Sequence, residues 1–407
     1  MSYRNVGRPV GPSPSAPLAI GPRCPITDPV GTRSSPPDPA PSSLRRWLFA
    51  GALLAAIAVA WVPWPRRLAP PPPSHARAAV TTAVAPPPPP AAVAPAPAVD
   101  VPTVAPTVVA VSADAGAART VLRGPWGNGP GQFGRRAASE GTPEAPNSLS
   151  LGARGDVAVL DQVNRRVQRF RDGAFVGSIA LPTEAAQDVV TTADRTAVLD
   201  RLGDPSVTLF DAAGRPLRTV PLVGGAITEG GAVTGLFAAP DGLYAEREHR
   251  ELVRLTDARG EPDPARTTLW GRPTRDGRSL LRAAITDRLR GVVTVSAAAR
   301  ATGAMDWSRA VTLDGLVLHL TLLDGDRRGR AYLGAVVARE SAGSLVDAHT
   351  LVVRFDPTGA PDGTLRLPAP PEADELFRPL AIDDDGRVFA LSPGPDGLAL
   401  VEYTFPG

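Results

Sequence analysis

The chain has 407 residues, with 43 basic and 41 acidic side chains, a formal charge of +2 and a pI near 9.1. Residues 1–117 hold nine arginines against four aspartates, whereas residues 118–407 hold 34 arginines against 37 acids. A mildly acidic C-terminal part argues against a nucleic-acid-binding main domain. The complete absence of lysine rules out Schiff-base catalysis and a GxxxxGK[ST] phosphate loop. Arginine as the only long cation, with abundant Ala, Pro and Gly, fits a GC-rich bacterial genome. The single cysteine, Cys24, permits neither an internal disulfide nor a cysteine metal cluster, and His75, His249, His319 and His349 leave little material for histidine chemistry.

Proline sets the first boundaries, since 26 of 47 prolines fall in residues 1–107. Residues 1–44 lack apolar periodicity and are expected to be a disordered tail. The apolar stretch Trp47–Val62, extended to Trp64, predicts a single transmembrane helix over 45–65. Eighteen helical residues rise ~27 Å, an adequate span of a ~30 Å hydrocarbon core. Arg45, Arg46, Arg66 and Arg67 flank it, and Trp47, Trp61 and Trp64 sit at interfacial positions. Four further arginines in the tail bias the N-terminus to the inside. A signal peptide cleaved after Ala58-Val59-Ala60 is the competing reading, though the leader is long for that role. Residues 66–117 form a Pro/Ala-rich linker suited to a polyproline II spacer.

Beyond residue 118 short β-branched runs alternate with Asp-Gly-type turns. Turns between two short strands centre near 155, 196, 242, 291, 329 and 386, about 46 residues apart on average. Four strands per unit, repeated six times, predict an all-β, six-bladed β-propeller over 118–407. The last unit supplies three strands (378–382, 387–391 and 398–404), and Arg119–Arg123 is expected to close the ring as the fourth. Blade four, over 279–315, is the least clearly marked. Two sandwich domains are the alternative fold, but a sandwich has no need of a fixed repeat.

The stretch GPWGNGPGQFG (124–134), followed by GDVAVLD, NRRVQRF and a D-G turn, resembles an NHL repeat over residues 121–181. Later units keep the turns without the signature. The resemblance implies an NHL-like propeller, usually six-bladed, that offers one end of its channel to a partner, with no single activity attached. It also implies a blade-bracing contact between Arg166 and Asp161.

Loops joining second and third strands gather at one mouth of a propeller. They contribute Asp161, Asn164, Arg165, Asp200, Asp204, Glu246 and His249 as candidate binding residues, with Glu340–His349 as the longest loop. Gly129–Gly134 matches GxGxxG but is followed by loop composition, so no dinucleotide cofactor is expected. Asp324-Gly-Asp326 and Asp383–Asp385 read as turn caps rather than calcium ligands, because Ala335 stands where an EF-type loop needs a carboxylate. His319, within LVLHLTLL, reads as a packed strand histidine. No catalytic residue, metal or cofactor is assigned.

The expected protein is a single-pass bacterial inner-membrane protein with its propeller in the periplasm. It is expected to bind or scaffold a protein, peptide or glycan at the propeller mouth. A metal-dependent hydrolase or lyase working in the central channel is the alternative, and a purely structural spacer is a third reading.

Overall fold

The computed structural model describes residues 107–108, 116–137, 143–152, 155–368 and 376–406, all within the unit Ala96–Gly407. The expected tail (1–44), the expected membrane helix (45–65) and most of the linker lie outside the described residues. Among the described residues, no helix is long and apolar enough to cross a membrane.

The strands form six sheets, one per blade, and each blade runs from a channel-side strand to an outer one. Blade one comprises β3 (Ser148–Leu151), β4 (Asp156–Asp161), β5 (Arg166–Arg171) and β6 (Ala174–Ala180). Blade two comprises β7 (Ala186–Thr191), β8 (Arg195–Asp200), β9 (Ser206–Asp211) and β10 (Pro216–Pro221). Blade three comprises β11 (Val233–Ala239), β12 (Gly242–Arg247), β13 (Glu251–Asp257) and β14 (Thr268–Leu269). Blade five comprises β19 (Leu316–Gly325), β20 (Ala331–Ser341), β21 (Ser344–Phe355) and β22 (Pro361–Pro368). Burial follows position: five of six residues in β4 are buried, against one of seven in the outer strand β6. Inner strands covered on both faces therefore read as continuous apolar runs, and only outer strands tolerate polar ones.

Blade six closes the ring as the repeat predicts. It contains β23 (Leu380–Ile382), β24 (Val388–Gly394) and β25 (Gly397–Thr404), with β2 (Ala117–Pro125) antiparallel to β25 as the fourth strand. Arg119 stands opposite Glu402 in that register, and the two form an ion pair of 2.5 Å. Joining the first and last strands in one sheet means the ring cannot open at its ends without breaking a ladder.

Blade four departs from the expected frame. It consists of β15 (Arg272–Pro273), β16 (Ser279–Asp287), β17 (Val292–Ala299) and β18 (Met305–Thr312). Its first turn is therefore Thr274–Arg278, and the turn near residue 291 joins its second and third strands. The inner strand is only two residues long and contains a proline, which leaves no alternation to detect. Outside β18, β1 (Thr107–Val108) adds a parallel fifth strand, so two linker residues take part in the sheet. The weakly patterned β18 is fixed by Trp307, stacked on Phe355 at 5.9 Å. Gly359, at φ 82°, lets the next turn approach that ring, because a Cβ there would lie 2.4 Å from Trp307 Cδ2.

Five apolar clusters fill the junctions between blades one and two, two and three, four and five, five and six, and six and one. Among the described residues no such cluster joins blades three and four. That junction carries ion pairs instead. Arg300 reaches both Asp241 oxygens at 2.7 Å, and Tyr244 donates its hydroxyl to Asp241 at 2.7 Å. Burial first, and then Asp241, push the Tyr244 phenol up to about 12.

Candidate functional site

The mouth residues expected from sequence separate into two groups. Asp161 is fully buried and accepts from Gly134 N (2.9 Å), Arg166 Nε (2.8 Å), Asn164 Nδ2 (3.0 Å) and Gln168 Nε2 (3.2 Å). A Cβ at Gly134 would stand 2.9 Å from Asp161 Oδ1, so this approach requires glycine. Arg166 also donates to the carbonyls of Asn128, Gly129 and Gln132 at 2.8–3.0 Å, which pins the Gly-rich loop onto blade one. The bracing contact implied by the NHL resemblance is thus formed, and its hydrogen-bonding capacity is spent inward. Asn164 donates to Gly127 O at 2.8 Å, and Arg165, at φ 52°, reaches Pro182 O at 2.5 Å. Asp200 is buried and caps its own loop through Leu202 N and Gly203 N, while Asp204 is exposed.

Glu246 and His249 belong to the second group, at the wall of the central channel. Glu246 is the penultimate residue of β12 and is buried. It receives a forked pair from Arg272 (Nε–Oε1 2.6 Å, Nη2–Oε2 2.9 Å), the Thr234 hydroxyl at 2.9 Å, and His249 Nδ1 at 3.3 Å. Burial alone would raise this carboxyl, but Arg272 and His249 outweigh it and hold it well below the usual carboxylate range. Burial likewise opposes the Arg272 charge, and Glu246 more than restores it. His249 sits at φ 55° with its ring exposed to the channel.

A second buried carboxylate, Asp188 on β7, ties four blades together. It accepts from Ser148 Oγ of blade one at 2.6 Å, Leu236 N of blade three at 2.8 Å, and Arg378 Nη2 of blade six at 2.6 Å. The guanidiniums of Arg378 and Arg272 both lie over the Phe237 ring, 4.9 and 4.8 Å from its centroid. Two cations are thereby held rigidly beside one aromatic ring. Asp188 is a lone acid in an apolar inner strand, and that was the sequence signal for this hub. Its partner lies 190 residues away and carried no such signal.

Arg272, Arg378, Phe237 and His249 line a cavity of about 1110 Å³ in the channel, with Glu246 and Asp188 behind its wall. Its walls include Leu149, Val190, Phe237, Ile285, Leu320 and Leu380 among apolar residues. The charged and titratable lining consists of Arg272, Arg275, Arg288, Arg378, His249, His319 and Tyr403 against one carboxylate, Asp324. Arg275 faces Asp384 at 3.4 Å and Asp324 at 3.7 Å and also bonds Ile382 O. Arg288 donates only to backbone, at Val317 O (2.8 Å) and Leu318 O. His319 lies exposed on the cavity wall, not packed as its strand pattern predicts, because bulges at Val317/His319 and Leu320/Leu322 break the alternation of β19. Burial and the nearby Arg288 charge push its imidazole below the ordinary histidine value.

The remaining features are structural. Asp326 caps its turn through Arg328 N and Arg330 N, and Asp383 does the same through Asp385 N and Arg387 N. Glu340–His349 is an extension of β20 and β21 rather than a loop. Only Ala342 and Gly343 turn the chain, both at positive φ as a tight hairpin requires. Among the described residues, no group of three or more His, Cys, Asp or Glu side chains is placed to hold a metal ion.

No protein-family model matches this chain, and no curated protein matches it. Among solved structures it is similar to a hydrazine synthase from Kuenenia stuttgartiensis (14% identity, 63% of this chain and 79% of that one, TM-score 0.41). It is also similar to a chain of a mitotic checkpoint complex (14%, 64% and 87%, TM-score 0.41). A third likeness is to a gluconolactonase from Xanthomonas campestris (19%, 71% and 99%, TM-score 0.38). At these levels the likenesses carry no inference about activity, and the fold rests on the six sheets.

Proposed function

We propose that this chain is an NHL-type propeller, held at the periplasmic face of a bacterial inner membrane by residues 45–65, that binds a protein, peptide or glycan in its channel. The observation that carries the reading is the channel wall itself, where Arg272 and Arg378 are immobilised on Phe237 by two buried carboxylates around an open cavity. Fixed cations beside apolar surface form a pre-organised recognition surface, which lowers the ordering cost of binding. The NHL assignment is supported by the motif of residues 121–181 together with the Asp161–Arg166 brace.

The test uses the full chain in lipid nanodiscs, screened against peptide and oligosaccharide arrays. A ligand that is bound unchanged, and lost when Ala284→Trp fills the channel, is the expected result. Binding that survives A284W, turnover of the ligand, or no ligand at all would overturn the reading. A reporter fused after Gly407 that is active only in the cytoplasm would overturn the orientation.

A further inference from the structure

Blade four lacks most of the strand that should face the channel. β15 pairs with β16 only through Arg272↔Leu281 and Pro273↔Leu280. In blade three, by contrast, β11 covers β12 along its whole length. From Arg282 to Asp287 no strand among the described residues pairs with the inner edge of β16, and Ala283, Ala284 and Ile285 line the cavity. The chain cannot supply the missing strand from upstream of β15. Gly271, at φ 116°, turns it away, and Trp270 O is taken by Arg282 Nε at 2.8 Å. An unpaired strand edge is a template for another extended chain, and a short peptide can complete it.

The charges beside this edge select among peptides. Three cavity arginines face a carboxylate of the protein: Arg272 with Glu246, Arg378 with Asp188, and Arg275 with Asp384 and Asp324. Arg288, immediately after β16, has backbone carbonyls and no carboxylate as its partners among the described residues. Arg288 is exposed at the cavity wall, where an acidic side chain of a ligand can reach it and supply the carboxylate that the other three cavity arginines already have. The cavity of about 1110 Å³ exceeds the ~300–1,000 Å³ of small-molecule sites. At ~3.3 Å per residue the open part of β16 runs about 20 Å, so a pentapeptide, spanning about 16 Å, would cover most of it.

We propose that the channel binds an extended acidic peptide, which adds a strand to the open inner edge of β16 and places a carboxylate on Arg288. This rests on the channel-binding reading above and specifies its ligand. The probe is a library of acetylated, amidated pentapeptides carrying one glutamate among alternating valines and threonines, titrated into the full chain in nanodiscs.

Binding by members of the library is expected, weakened about fivefold by Arg288→Gln and untouched by Arg290→Gln, which changes an exposed neighbour. Methylating alternate peptide amides is expected to abolish binding, because strand addition needs those N–H groups. Equal binding of the methylated peptides would overturn strand addition. Equal binding of the glutamine analogues, or of the R288Q protein, would overturn the acidic specificity. If no library member binds while another ligand does so in an A284W-sensitive way, this proposal falls and the channel reading stands. If nothing binds in the channel, both fall.

Discussion

The junction between blades six and one and the junction between blades three and four solve the same closure problem with opposite chemistry. At the first, Leu122, Phe133, Leu149, Phe389, Leu398 and Leu400 pack into one apolar cluster, and Trp126 Nε1 donates to Gly394 O at 3.0 Å across the closing sheet. At the second, Arg272–Glu246 and Arg300–Asp241 take the place of a cluster among the described residues. Apolar contact is non-directional and rewards burial wherever it occurs. A buried ion pair gains little net stability once desolvation is counted, yet it fixes side-chain geometry. The ring is therefore sealed where its ends meet, while one fixed cation, Arg272, faces the channel at the polar junction.

The sharpest test of that contrast is a pair of double replacements. Glu246→Leu alone leaves Arg272 buried without its partner and is expected to cost about 3–5 kcal/mol. Combining it with Arg272→Met should restore most of that loss, because an apolar pair of similar volume fills a junction that lacks a cluster. The same treatment of Asp161 and Arg166 should not recover, since Arg166 also holds the carbonyls of Asn128, Gly129 and Gln132, against Leu323 O alone for Arg272 among the described residues. Urea unfolding of the four variants checks this. Equal recovery at both sites would erase the distinction between a site-building pair and a structural brace.

Next in size is Leu400→Ala, which empties the centre of the six–one cluster. Leu400 is fully buried, so a loss of about 2–5 kcal/mol is expected by thermal or urea unfolding. Loss of less than 1 kcal/mol would mean that the junction collapses around the cavity and is not the firm seal of the ring.

The sequence pattern announces one of these junctions and conceals the other. At blade one, WGNGPGQFG and GDVAVLDQVNRRVQRF are contiguous, and the residues that touch are close in the chain, as Asp161 and Arg166 are. At blade four the inner strand is Arg272–Pro273, too short to alternate, so the turn at Arg288–Gly291 takes the apparent place of Thr274–Arg278. The frame slips by one strand there and nowhere else in the ring. Glu246 and His249 are legible as loop residues of the mouth. Arg378, Phe237 and Arg288 are not, because each gains its meaning from blades far away in sequence. Repeat signatures report contacts within a blade, and a channel is made between blades.

A smaller effect tests the polar junction itself. Asp241→Asn removes one partner of Arg300 at a half-exposed site, so less than about 1 kcal/mol is expected at neutral pH. The Tyr244 phenol, raised to about 12 by burial and then by Asp241, should fall but stay above its ordinary value of 10 because burial remains. A phenol raised in the folded state contributes stability that is complete below pH 10 and is lost as pH rises from 10 to 12. Spectrophotometric titration of the phenolate in wild type and D241N reads this directly. An unchanged Tyr244 midpoint would show that Asp241 does not organise the junction.

The smallest expected signal comes from the channel wall. His319 should titrate below the ordinary histidine value of 6.5, because burial and then Arg288 disfavour its charged form. A histidine depressed in the folded state contributes stability that is complete above 6.5 and fades as pH falls through its own midpoint. Since the ring is only partly desolvated within the open cavity, that contribution is slight, and the midpoint itself is the useful readout. Nuclear magnetic resonance of the imidazole should show it moving up in Arg288→Gln. A bound acidic peptide should move His319 upward in the wild type, since a carboxylate on Arg288 cancels the charge that depresses it. If the midpoint ignores both changes, Arg288 does not govern the field in the channel, and the carboxylate site proposed on it loses its support.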